Sequence, residues 1–146
     1  MADTSAPDST DLVRITRVDS NSVGTPGAVD VNDLFNTSGV GYSSGGAVTQ
    51  ITNRTTGVTL NTLAGAITLI SAAGVGIATP ASFTVTNSAV AATDTIIVNQ
   101  KSGTDLYAIH VTAVAAGSFR ITSWTTGGTT TESPVFNFAV IKGAAA

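Results

Sequence analysis

The chain has no cysteine. Disulfides and thiolate metal centres are therefore excluded, and the redox compartment leaves no trace in the residues. Histidine and tryptophan occur once each, at His110 and Trp124. One imidazole without a thiol supports neither a transition-metal site nor a base-and-nucleophile pair. Charge is also scarce: 10% of the residues are charged, against roughly 25% in an ordinary soluble protein. The basic residues Arg14, Arg17, Arg54, Lys101, Arg120 and Lys142 are scattered, and the net charge is −3. A nucleic-acid surface needs clustered Lys and Arg, so no nucleic-acid partner is expected. Long apolar runs are missing too. Ala64–Ala78 is the most apolar stretch, but Thr68, Ser71 and glycines interrupt it, and it is too short to span a bilayer. No membrane partner is expected. The opening MADTSAPDSTD has neither the basic start nor the apolar core of a signal peptide, so synthesis in the cytoplasm is the expectation.

What is present is threonine, the commonest residue. It favours strands and keeps a hydroxyl for water, which suits a surface with little charge. From Ala47 onward, apolar residues alternate with Thr, Ser and Asn between glycine-rich turns. The pattern predicts strands over 48–52, 57–61, 66–71, 82–87, 95–99, 106–114, 118–125 and 134–141, and no helix of ordinary length. Period two puts Tyr107, Ile109 and Val111 on one inward face, with Phe119 and Ile121, and Phe136 and Phe138, on others. Phe83, Val85, Ile96 and Val98 complete the expected core. Ala115-Ala116-Gly117 and Thr126-Gly127-Gly128 read as hairpin connections. The expected fold is all-β: an antiparallel β-sandwich or jelly-roll-like body with an extended N-terminal arm.

The composition shifts near Gly45, after the Gly/Ser-rich TSGVGYSSGG. This divides the 146 residues into an arm with its linker, residues 1–45, and a body, residues 46–146. The arm carries a sparse apolar set, too small for its own core. Leu12, Ile15, Leu34, Phe35 and Tyr42, with Arg14 and Arg17, are expected to become ordered contacts only in an assembly.

Sites of chemistry are weak. His110 beside Asp105 and Ser118 suggests a triad, but His110 alternates outward and no nucleophile elbow surrounds a serine. Asp30, Asn32 and Asp33 offer oxygens to calcium, but without an EF-hand spacing they read as a helix cap and turn. Asp94 with Lys101, and Asp105 with Arg120, are expected as exposed ion pairs across hairpins. Tyr107 and Trp124 are the candidates for sugar stacking, yet aromatics make up 5% of the chain and no platform is visible. Trp124 reads as a packing anchor. No catalytic, cofactor-binding or metal residue is assigned, no cofactor is implied, and the chain is not expected to be an enzyme.

Three segments together resemble a family of small structural proteins of tailed bacteriophages and prophages. They are GGAVTQ at 45–50, TGVTLN at 56–61 and NFAVIK at 137–142, within a likeness running from Gly39 to Ala144. The resemblance implies a virion protein, first a head decoration or cement protein, second a head or tail fibre or receptor-binding β-module. It implies the major capsid protein, neighbouring copies of the chain, or both as partners. A homo-oligomer follows, with a trimer at a local threefold as one geometry.

Overall fold

The computed structural model describes residues 45–143, all within the second of two units into which the chain divides (42–146). The expected arm, with Leu12, Arg14, Ile15, Arg17, Leu34, Phe35, Tyr42 and the Asp30–Asp33 turn, lies outside the described residues.

The described residues form strands and no helix. In chain order these are β1 (Gly46–Thr49), β2 (Val58–Thr59), β3 (Ala64–Thr68), β4 (Ala72–Ala73), β5 (Ala81–Thr86), β6 (Thr95–Ser102), β7 (Leu106–Ala115), β8 (Ser118–Gly127), β9 (Thr131–Glu132) and β10 (Val135–Ile141). One sheet has the order β1-β3-β10-β6 and the other β2-β5-β8-β7, while β4 and β9 form a two-stranded piece. The body is a β-sandwich, as the alternation predicts.

Two pairings depart from a purely antiparallel scheme: β1 runs parallel to β3, and β2 parallel to β5. The cause is topological. Between β1 and β3 the chain crosses to the opposite sheet for β2, and between β2 and β5 it crosses to the first sheet for β3, so neither parallel pair is joined by a hairpin. The predicted strands are all present; the first and third begin about two residues earlier than expected, and the second is reduced to Val58–Thr59 within its predicted span. The two-residue strands β4 and β9 carry no periodicity to read.

The core lies between the sheets. Ile67, Phe136, Phe138, Val140 and Ile96 come from the first sheet, and Val58, Phe83, Val85, Tyr107, Phe119 and Ile121 from the second. Phe119 packs on Phe138 with ring centroids 5.2 Å apart, and Tyr107 meets Phe136 nearly edge-on at 5.5 Å. Such aromatic pairs add about 0.5–1.5 kcal/mol beyond area burial. Val98, Ile109 and Val111 are only partly buried, at the margin of this core.

A bulge at Thr112 breaks the alternation of β7. Val111 pairs with Ile121, but Ala113 pairs with Arg120, leaving Thr112 extra. The bulge lets both Val111 and Val114 pack inward and turns Thr112 outward. The β7–β8 turn closes on Ala116-Gly117, and Gly117 has φ +81°, a conformation a side chain rarely adopts. Its N–H donates to Val90 and its carbonyl accepts from Asn87, which ties the turn to the loop after β5.

Phe136→Ala should lower unfolding free energy by about 3–5 kcal/mol, because the ring is fully buried and its site cannot collapse freely. Ile97→Ala, at an exposed position of β6, should stay within about 0.5 kcal/mol of wild type. Denaturant titration of both variants checks the assignment of faces. Equal midpoints for the two variants would refute it.

Candidate functional site

One end of the sandwich is closed by a polar cluster centred on Arg54, in the loop between β1 and β2. Its side chain is buried, with 8% of the residue exposed. One terminal amine donates to the carbonyls of Ala72 on β4 and Glu132 on β9, both at 2.7 Å. The other donates to the Tyr107 hydroxyl at 3.4 Å, and the guanidinium stands 5.9 Å from that ring's centre. Gln50, also buried, donates to the carbonyls of Thr56 and Arg54. The Glu132 carboxylate accepts from the N–H groups of Thr104 and Asp105. Asp105 in turn accepts from the Thr130 N–H at 2.7 Å and hydroxyl at 2.8 Å. Gln100 completes the lattice, donating to the Asp105 carbonyl and accepting from the Tyr107 N–H.

The electrostatics follow from these contacts. Burial pushes the Tyr107 hydroxyl above its usual range, against the pull of Arg54. Burial also raises Glu132, but the Thr104 and Asp105 N–H groups, with Tyr107, outweigh it and hold the carboxyl below its usual range. An open concavity of about 370 Å³ beside the cluster is lined by Gln100–Leu106. Its one carboxylate, Asp105, is already engaged by Thr130. The cluster holds loops together and converges on no reacting group.

The opposite loops are pinned by Asp94. Its carboxylate accepts from the Ala91 N–H at 2.8 Å, the Gly143 N–H at 3.0 Å and the Lys142 ammonium at 2.5 Å. The Ala91 N–H first, then Lys142 and Gly143, hold its pKa down to about 2 against the opposing effect of burial.

The two outward sheet faces differ in kind. Alternation with the buried Ile67, Phe136, Phe138 and Ile96 turns Ala64, Ala66 and Thr68 of β3 and Val135, Asn137, Ala139 and Ile141 of β10 outward. Thr95, Ile97, Asn99 and Lys101 of β6 join them. None of the four strands of this first sheet carries a carboxylate. Ile97 and Ile141 are about half exposed, at 51% and 49%. The second sheet turns out Ser82, Thr84 and Thr86 of β5, Arg120, Thr122, Trp124 and Thr126 of β8, and Ala108 and His110 of β7. His110 and Trp124 stack there, with centroids 5.0 Å apart and ring planes 18° apart.

Several sequence expectations are corrected by these contacts. Asp94 pairs with Lys142, not Lys101. Asp105 binds Thr130, while the Arg120 Nε donates to Thr112. His110 is exposed, as its outward alternation predicts, and lies on Trp124, while Asp105 is engaged with Thr130 and Ser118 sits at the hairpin tip opposite Ala115. Tyr107 is buried and cannot stack on a ligand, whereas Trp124 is half-buried on the outward face. The Arg54 cluster escaped the sequence reading, for its partners are mostly backbone groups distant in the chain. Among the described residues no group of three or more His, Asp or Glu is placed to hold a metal ion, and no helix is long and apolar enough to cross a membrane. Comparison with protein families, curated proteins and solved structures found no match.

Asp94→Asn should destabilise the protein at neutral pH. Because the carboxyl's pKa is depressed in the folded state, its stabilisation is complete above the ordinary value of 3.8 and fades as pH falls toward about 2. The gap between variant and wild-type denaturation midpoints should therefore close across that interval. A gap that stays constant down to pH 2 would remove Asp94 as the acid-sensitive clamp.

Proposed function

We propose that this chain is a bacteriophage virion structural protein, a capsid decoration or cement protein that binds and stabilises the assembled head. One observation carries the reading furthest: the outward face of the β1-β3-β10-β6 sheet. It is built mainly of alanine and threonine with two asparagines, has no carboxylate in its strands, and exposes Ile97 and Ile141. Its one charged residue, Lys101, lies near the end of the edge strand β6. A sheet face with so little charge loses little on desolvation, so a large flat contact buries few ions. The resemblance of 45–50, 56–61 and 137–142 to phage and prophage structural proteins supports the same reading, as does the low overall charge.

The mechanism is linkage. A protein that binds only the assembled shell stabilises it by mass action, without chemistry. The partners are then the major capsid protein, neighbouring copies, or both, and the protein resides in the virion after synthesis in the host cytoplasm. The arm would add contacts through Leu12, Ile15, Leu34 and Phe35. A second reading, a head or tail fibre or receptor-binding module, draws on the aromatic pair of the opposite face.

Immunogold labelling of particles induced from the source strain tests the proposal. Gold on heads is the expected result. Gold confined to tails would favour the second reading, and unlabelled particles would overturn both. Ala139→Glu, which puts one negative charge in the centre of the face, should leave the denaturation midpoint near wild type and strip the label from the heads.

A further inference from the structure

The outward face of the β2-β5-β8-β7 sheet carries a built network of a different kind. The Ser82 and Thr122 hydroxyls are 2.8 Å apart, the Thr122 and Thr112 hydroxyls 2.9 Å, and the Arg120 Nε donates to the Thr112 hydroxyl at 2.9 Å. These bonds cross three strands, β5, β8 and β7. They depend on the bulge, which places the extra residue Thr112 against both Thr122 and Arg120. Arg120 is thus held by one nitrogen, and no bond to its two terminal amines is made among the described residues. Along β8 the outward side chains run Arg120, Thr122, Trp124, a stripe of about 14 Å at roughly 3.4 Å per residue. At its far end the exposed His110 ring lies against the indole.

We propose that this stripe is a binding surface for an acidic oligosaccharide, one bearing carboxylates on its rings. Each part of the stripe matches a part of such a ligand. Aromatic faces take the apolar C–H face of a pyranose. Fixed hydroxyls match its hydroxyls. The planar fork of Arg120 takes a carboxylate with two parallel bonds. Charge complementarity selects the acidic sugar. None of the strands β2, β5, β7 and β8 contains Asp or Glu. The three carboxylates of the described residues, Asp94, Asp105 and Glu132, are all engaged in binding backbone N–H groups elsewhere. Among the described residues, Arg120 is therefore the one Lys, Arg, Asp or Glu on the outward face of these strands. The inference does not rest on docking through the other sheet and is tested on the isolated protein.

Trp124 is the chain's only tryptophan, so its fluorescence reports the site directly. Full-length protein is titrated with trigalacturonic acid and, separately, with the neutral trimer cellotriose. The expected result is a saturable change with the acidic trimer in the range of about 1 mM or tighter, and a response at least about tenfold weaker with the neutral one. Arg120→Gln should weaken the acidic trimer by about tenfold and leave the neutral response unchanged, since a charge-assisted bond is lost. Thr122→Val should weaken both. No change with either trimer, or equal affinity for the two, would overturn the proposal. So would an Arg120→Gln variant that binds the acidic trimer as wild type does. In an isotope-labelled sample, chemical-shift changes confined to β7 and β8 should accompany binding, which locates the ligand without relying on the indole.

Discussion

The buried guanidinium of Arg54 is the constraint on which the closed end of the sandwich depends. Two carbonyls from the two-residue strands β4 and β9 and one hydroxyl from β7 converge on it. Strands of two residues cannot hold themselves together, since an isolated pair of short strands is marginal at best. A charged donor that bridges them does so with bonds worth about 1.5–3 kcal/mol each. Arg54 makes no hydrogen bond to a carboxylate among the described residues. Its charge is solvated by backbone dipoles and the face of Tyr107 instead, so any loss of those loops would strand a charge in the interior. The Glu132 carbonyl binds Arg54 while its carboxylate caps the 104–105 loop, and Asp105 then caps Thr130. Each loop is fixed by the next, and Gly128, at φ +90°, allows the backbone to close against the Asp105 carboxylate.

This internal use of polar groups leaves the two outward faces free to specialise. One sheet shows mostly small uncharged side chains and two half-exposed isoleucines. The other shows a hydroxyl network, one guanidinium and an aromatic pair. The two compositions suit different and conflicting requirements. A docking face benefits from cheap desolvation, whereas a face that reads a polar ligand needs fixed donors and acceptors with their geometry held in advance.

Much of this was legible in the sequence, and the reasons are specific. The strands from Ala81 to Ile141 could be read because Phe83, Val85, Phe119, Ile121, Phe136 and Phe138 keep strict period two, and burial on one face enforces it. The parallel pairings could not, since alternation reports a face and never a neighbour. The ion pairs expected across hairpins failed for a related reason. Asp94 finds Lys142, 48 positions away, because strands adjacent in sequence lie here in different sheets or carry a bulge. The outward stripe shows the limit most clearly. Were Thr112 paired in the ladder instead of bulged, the register from the Ala115–Ser118 pair would set His110 opposite Ser123, where it now lies opposite Thr122. The pattern does contain the clue, for Tyr107, Ile109 and Val111 are odd-numbered inward positions and Val114 is an even one.

Charge scarcity, which first reads as a lack of function, takes on a structural meaning in this arrangement. Of nine acidic residues in the chain, six precede Gly45. The other three accept backbone N–H groups at loop ends and so have little left to offer at the surface. Carboxylates used this way substitute for the ladder bonds that loops lack and make the loops stiff. The consequence is that the body's outward cations meet few competing anions of its own. Arg54 is buried and Lys142 is held by Asp94, which leaves Lys101 and Arg120 as the cations that face solvent without an ion-pair partner among the described residues. A guanidinium on a sheet whose strands carry no carboxylate is a stronger selector for a negative ligand than one set among mixed charges, because those strands offer it no competing anion.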